Sequence, residues 1–231
     1  MSRLMLPPFK VVILDMDGLL IDSEATYCHA WQMAAAELGQ PLSAAFCASL
    51  FGQHADDVVS ALSFALGPAF EQARFFRCAE RHWREHIAAN GIARMPGADA
   101  LLHHLRSRDI PHALATNSDG PYARQCLTAA GLTDLFSVMV TRDQVAHGKP
   151  EPDLFMEAAR RLGAAPADCL VLEDSETGLR AAAAAGMSVV LVQRQAARRA
   201  ALADRATLVR ESLLTVLPLL DVAECEPQNK E

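Results

Sequence analysis

Residues 11–24 read VVILDMDGLLIDSE. Val11 to Leu14 make a short unbroken apolar run, the pattern of a strand buried on both faces of a parallel sheet. Asp15 and Asp17 follow at once, and Gly18 lets the chain turn sharply. In open α/β sheets ligands bind outside the carboxyl ends of the strands, so this strand delivers two carboxylates to the usual place for chemistry. Acids two apart on one extended strand would face the same way. A turn beginning here lets them diverge and take different roles.

Beyond this strand the chain changes character twice. From Ser23 to Asn90 there is no convincing strand. Ala30, Met33, Ala34, Glu37 and Leu38 recur with helical spacing until Gly39 and Pro41 stop them. Leu42 to Leu50 reads as a short helix, Phe51 to His54 as a loop, and about Asp56 to Leu66 as a further helix. After Gly67-Pro68 a longer helix opens at Phe70, with Phe76, Trp83 and Ile87 along one face. From Met95-Pro96-Gly97 onward, helices alternate with apolar strands at His112–Ala115, Val138–Val140, Cys169–Leu172 and Val189–Val192. The remainder reads as helix, then a polar tail from Glu224. Such alternation implies α/β architecture with a doubly wound parallel sheet. The expected organisation is a Rossmann-like core at residues 1–22 and 91–231, carrying an inserted all-helical subdomain at residues 23–90.

The 231 residues are 51% hydrophobic, enough to fill a core. A net charge of −7 argues against a nucleic-acid or phospholipid surface, but not against a small phosphorylated ligand in a local pocket. Six scattered cysteines without a C-x-x-C pair read as reduced, mostly buried thiols of a cytoplasmic protein. The segment MSRLMLPPFK lacks the apolar stretch of a signal peptide, and no run approaches the ~18 apolar residues of a membrane span. No obligate protein partner is evident.

Four polar clusters fall at or just after strand ends: Asp15/Asp17, Thr116/Asn117/Ser118, Lys149, and Glu173/Asp174. Strand ends of a parallel sheet converge on one edge, so the four can share a pocket. Several carboxylates together repel one another, and a hard divalent cation relieves that. Mg²⁺ suits one or two carboxylates plus waters and phosphate oxygens. A hydroxyl and a lysine beside such a site are what a transferring phosphoryl group needs.

Each cluster also has a plainer reading. D-x-D-G suits an ordinary strand-ending turn. Thr116-Asn117-Ser118 suits helix capping, with Ser118 as a cap. Lys149 between Gly148 and Pro150 suits a solvated loop, and Ser175 suits capping of the next helix.

In order along the chain, DMDG at Asp15–Gly18, TNS at Thr116–Ser118, GKPEPD at Gly148–Asp153 and EDSETG at Glu173–Gly178 resemble the haloacid dehalogenase-like superfamily of phosphohydrolases. The resemblance is to its subgroup with a helical cap after the first strand, which includes beta-phosphoglucomutase and many sugar-phosphate phosphatases. It implies a Mg²⁺-dependent phosphohydrolase of a small phosphorylated metabolite. It also implies that Asp15 is the nucleophile, forming an aspartyl-phosphate, and that Asp17 is the acid and base. Thr116 and Asn117 would bind phosphoryl oxygens, and Lys149 would balance charge on nucleophile and phosphoryl group. Asp15, the Asp17 carbonyl and Asp174 would hold Mg²⁺, with Glu173 close by. Glu24 and His54 are candidate substrate contacts in the cap.

A phosphomutase is the nearest alternative. Its relatives carry an arginine in the loop after the glycine matching Gly52, where Gln53-His54-Ala55 stand here. A dehalogenase needs no acid at Asp17. A receiver-like signalling module would lack the helical insert. His82-Trp83-Arg84-Glu85-His86 matches H-x-x-E-H, but an amphipathic helix with a solvated arginine face explains it better.

Overall fold

A computed structural model describes residues 6–50 and 55–223. β1 (Val11–Leu14), β2 (His112–Ala115), β3 (Val138–Val140), β4 (Cys169–Glu173), β5 (Ser188–Val192) and β6 (Leu208–Arg210) form one six-stranded sheet in the order β3-β2-β1-β4-β5-β6. Every neighbouring pair is parallel. The order reverses between β1 and β4, where open α/β sheets form their ligand crevice. Leu14 is level with Leu114 on one side and Leu172 on the other. Ala115, Asp15 and Glu173 are therefore the next residues along three adjacent strands.

The stretch after Val192, read as helix from sequence, contains β6. Thr207 N donates to the Val189 carbonyl at 2.9 Å, and Leu208 and Val209 pair with Val190 and Leu191. Three residues are too few to show a period of two, so pairing with β5 rather than local pattern decides this edge strand.

The chain divides into two compact units, Met1–Ile21 with Arg94–Glu231, and Asp22–Ala93. The second unit holds α1 (Ser23–Glu37), α2 (Ala44–Ser49), α3 (Ala55–Leu66) and α4 (Gln72–Asn90). Asp22 caps α1 by accepting from Ala25 N, and Ser43 caps α2 by accepting from Phe46 N. α1 packs against α4, and Ala34, Ala35, Leu62, Phe75 and Ala79 lie in the shared core. Phe75, not the expected Phe76, is the fully buried ring; Phe76 meets it edge-on at 5.4 Å. Trp83 and Ile87 are buried as expected, and Trp83 Nε1 donates to Thr26 Oγ1 at 2.9 Å, so the buried indole N–H of Trp83 is paired. The two histidines of H-x-x-E-H take different partners. His82 faces Glu37, while the His86 ring lies against His29 at 4.3 Å.

The sheet unit adds α5 (Ala98–Ser107), α6 (Gly120–Ala129), α7 (Asp153–Leu162), α8 (Glu176–Ala184), α9 (Ala196–Leu202) and α10 (Leu217–Ala223). Leu154, Phe155, Ala158 and Ala159 of α7, with Leu179, Ala181 and Ala182 of α8, pack on the sheet face of Val11, Ile13, Ala113, Val171 and Val189. The alternate residues Val12, Leu14, Leu114, Leu170, Leu172 and Val190 are buried too, so both faces are covered. Cys47, Cys78, Cys126 and Cys169 are buried and Cys28 partly so, all as free thiols. No described helix is long and apolar enough to cross a membrane.

Candidate active site

The site is built from the carboxyl ends of β2, β1 and β4. Lys149 enters from the loop before α7, its peptide to Pro150 being cis. Lys149 Nζ is 2.5 Å from Asp15 Oδ1, 2.6 Å from Glu173 Oε1 and 2.9 Å from the Ala115 carbonyl. Those acceptors are the three in-register residues at the strand ends. An ammonium has three donors, and all are used. The Phe155 ring, 4.7 Å from Nζ, closes the remaining side. The Lys149 side chain is 2% exposed and that of Glu173 is 0% exposed, so this is a dry ion cluster.

Burial pushes Asp15 up to about 8, with the Glu173 and Asp17 carboxylates adding to it and Lys149 pulling the other way. Burial disfavours the charged form of Lys149 as well, but Asp15 and Glu173 outweigh it and hold the ammonium protonated, above its usual range. Direct donation from Lys149 to a phosphoryl oxygen would require giving up one of its three partners. Its nearest role is to orient Asp15 and to oppose the effect of burial on it.

Glu173 is tied down on its other oxygen too. Oε2 accepts from Asp174 N, Ser175 N and Ser175 Oγ, each at 2.9 Å. Ser175 also caps α8, accepting from Gly178 N at 3.1 Å, as its sequence position suggests. A Cβ at Gly178 would collide with the Glu173 carboxylate, so glycine there is what allows the close approach. Glu173 thus reads as an anchor for Lys149 more than as a donor with oxygens to spare.

Asp15, Glu173 and Asp174 each place a carboxylate oxygen within 4.8 Å of the others. Asp17 bears on Asp15 as well, so four acidic side chains share this end of the sheet with one ammonium that contacts two of them, and every donor is oxygen. That donor set fits a hard divalent cation such as Mg²⁺. Gly18, at φ +83°, leaves the space that the Asp174 carboxylate takes, since a Cβ there would strike Asp174 Oδ2.

Asp17 diverges from Asp15 as the turn allows. Its Oδ2 accepts from Ser118 Oγ at 2.8 Å, and from Thr116 Oγ1 at a long 3.5 Å. Ser118 is therefore not a helix cap, as the sequence suggested; Asp119 caps α6, accepting from Tyr122 N at 2.9 Å. Asn117 grips the Lys149 backbone from both sides: Nδ2 donates to the Lys149 carbonyl at 3.1 Å, and Oδ1 accepts from Lys149 N at 2.7 Å.

Asp15, Asp17, Thr116, Asn117, Lys149, Glu173 and Asp174, all singled out in the sequence, thus gather at one end of the sheet. The sequence reading missed Ser118 as a partner of Asp17, although the hydroxyl two residues after Thr116 was the available signal. It also missed buried Gln193, whose Nε2 donates to the Asp174 carbonyl at 3.1 Å; a glutamine after β5 carries no motif. Glu24 lies half-buried in the first turn of α1. His54 lies outside the described residues.

The profile of the haloacid dehalogenase-like hydrolases matches residues 12–192. Hexitol phosphatase A of Escherichia coli (strain K12) is 37% identical over 186 residues, covering 79% of this chain and 82% of that protein. Beta-phosphoglucomutase of Bacillus subtilis (strain 168) is 29% identical, covering 78% and 82%. Among solved structures, a HAD family hydrolase from Deinococcus radiodurans R1, with bound phosphate and sodium, superposes with a TM-score of 0.80 at 31% identity over 94% of this chain and 97% of that one. With the sheet order and strand-end residues described above, the chain belongs to the haloacid dehalogenase-like hydrolases.

Proposed function

We propose that the protein is a Mg²⁺-dependent phosphatase of small phosphorylated metabolites, sugar phosphates being the class, and that it works through an aspartyl-phosphate on Asp15. The observation that carries this reading is the buried Lys149 bridge between Asp15 and Glu173, beside Asp174. It leaves an oriented, charge-compensated carboxylate at the switch point of the sheet. The phosphatase names of relatives such as hexitol phosphatase A support the same reading.

Asp15, the Asp17 carbonyl and Asp174 would hold Mg²⁺, with Glu173 behind them, and the ion would supply charge neutralisation for the phosphoryl oxygens. The Asp15 carboxylate attacks phosphorus while Asp17, protonated, gives its proton to the departing sugar oxygen as that bond breaks. Asp17, now a carboxylate, takes a proton from water as the water oxygen attacks phosphorus. The Asp15–phosphorus bond breaks and inorganic phosphate leaves. Ser118 holds Asp17 in place for both transfers. The Thr116 hydroxyl and the Asn117 backbone N–H bind phosphoryl oxygens. Glu24 and His54 contribute to substrate choice.

The test is phosphate release from a panel of hexose, pentose and hexitol phosphates, with and without Mg²⁺. Turnover that needs Mg²⁺ and vanishes in Asp15→Asn is expected. No turnover on any member, or turnover unchanged in Asp15→Asn, refutes the reading. The mutase name among the relatives gives a second reading. Isomerised sugar phosphate formed with little free phosphate would favour it.

A further inference from the structure

Away from the strand ends, the helical unit gathers a second set of ligating groups. Cys78 and His82 stand one turn apart on α4 and project from the same face. Glu37, the last residue of α1, reaches them: its Oε2 is 2.8 Å from His82 Nε2. One ligand atom from each of Glu37, Cys78 and His82 lies within 4.8 Å of the other two. On the far side of the imidazole, Glu85 Oε2 is 3.7 Å from His82 Nδ1. A carboxylate behind the ring is the usual outer partner of a ligating histidine, fixing which nitrogen faces the ion.

A cation already occupies this place. Arg81 donates to Glu37 Oε2 and, at 3.4 Å, to Cys78 Sγ. Its side chain is 49% exposed, and Glu85 Oε1, 3.9 Å from its other nitrogen, offers an alternative partner. Withdrawal of Arg81 therefore costs little, since ion pairs this exposed are screened by water and salt.

We propose that Glu37, Cys78 and His82 form a binding site for a borderline-soft divalent metal ion, zinc being the match, with Arg81 as the placeholder that the ion displaces. Sulfur with imidazole selects zinc over Mg²⁺, which prefers oxygen, so this site is chemically distinct from the one around Asp15. Water completes the tetrahedron, and the Cys78 thiol proton leaves to solvent as sulfur binds. Tetrahedral zinc sets its ligand atoms roughly 3.3–3.6 Å apart, so the side chains need shifts of about an ångström. A bound ion ties the end of α1 to the middle of α4.

The test uses the full chain saturated with Mg²⁺ and titrated with Co²⁺, a spectroscopic stand-in for zinc. One equivalent is expected to give a thiolate-to-cobalt charge-transfer band and the intense visible absorption of tetrahedral cobalt, both erased by zinc. Cys78→Ser removes the charge-transfer band, and His82→Gln weakens binding at least tenfold. Arg81→Gln tightens binding, because the competing guanidinium is gone. An ion-pair network without a metal role predicts the reverse: Arg81→Gln loosens the helices and does nothing for metal affinity. Wild-type protein without the band, a band that survives Cys78→Ser, or Arg81→Gln without tighter binding overturns the proposal. Circular dichroism checks each fold, and if Cys78→Ser does not fold, His82→Gln and Arg81→Gln decide alone.

Discussion

Asp15 and Lys149, 134 positions apart in the chain, share a buried 2.5 Å contact between Oδ1 and Nζ. The same ammonium holds Glu173, so one lysine sets the position of the residues at the ends of β1 and β4.

Replacing Lys149 by Met leaves two carboxylates buried and facing each other. Removing one partner from such a cluster costs about 3–5 kcal/mol. Urea unfolding of Lys149→Met is expected to show a loss of that size, with phosphate release abolished. Adding Glu173→Gln is expected to restore part of the stability and none of the activity. Stability equal to wild type in Lys149→Met would mean the cluster is not dry.

Ser118→Ala removes the 2.8 Å hydrogen bond to Asp17 Oδ2. A charge-assisted bond is worth about 1.5–3 kcal/mol, so kcat is expected to fall roughly tenfold or more with KM little changed. Ser118→Thr keeps the hydroxyl and is expected to retain most of the rate. A raised KM at constant kcat in Ser118→Ala would place the hydroxyl on substrate instead.

Gly18→Ala puts a Cβ into Asp174 Oδ2 at a backbone φ of +83°. The left-handed conformation alone costs about 1–2 kcal/mol. Displacement of Asp174 is expected to raise the Mg²⁺ concentration needed for half-maximal turnover at least tenfold. Thermal melts with and without Mg²⁺ separate the two effects: the metal-free loss is modest, and the stabilisation by Mg²⁺ shrinks.

Metal-free protein is expected to lose stability as pH rises towards 8. The folded-state pKa of Asp15 is raised from 3.8 to about 8, so its contribution is fully present below about 4 and is lost as pH climbs through about 8. Glu157, held down to about 2 by Arg160 and Arg161, acts at lower pH, where its contribution is lost on acidification. His29, lowered by burial and by His86 and His82, contributes in the opposite sense around its ordinary 6.5. Asp15→Asn isolates the carboxylate. In EDTA the wild type is expected to fall relative to Asp15→Asn between pH 5 and 8, and Mg²⁺ to cancel the fall. Parallel curves in EDTA would contradict this assignment.

Much of the sheet was legible because its strands are buried on both faces. VVIL and the apolar runs at Cys169 and Val189 need no partner to be seen. β6 was not legible, since three residues at a sheet edge carry no periodic signal and only pairing with β5 makes them a strand. On α4, Phe75 and Phe76 are adjacent and fit the helical period about equally well, so the packing against α1 chose between them.

The linear sequence determined which residues could do chemistry. Acids, a hydroxyl and a lysine after apolar runs follow from composition and order, and a parallel sheet carries such residues to one edge. The tertiary structure decided their allegiances. Strand register put Asp15, Ala115 and Glu173 within reach of a single ammonium, gave Asn117 to the Lys149 backbone, and turned Ser118 from a cap into the partner of Asp17. These are differences of a few ångströms between groups up to 134 positions apart, and no local preference of the chain encodes them.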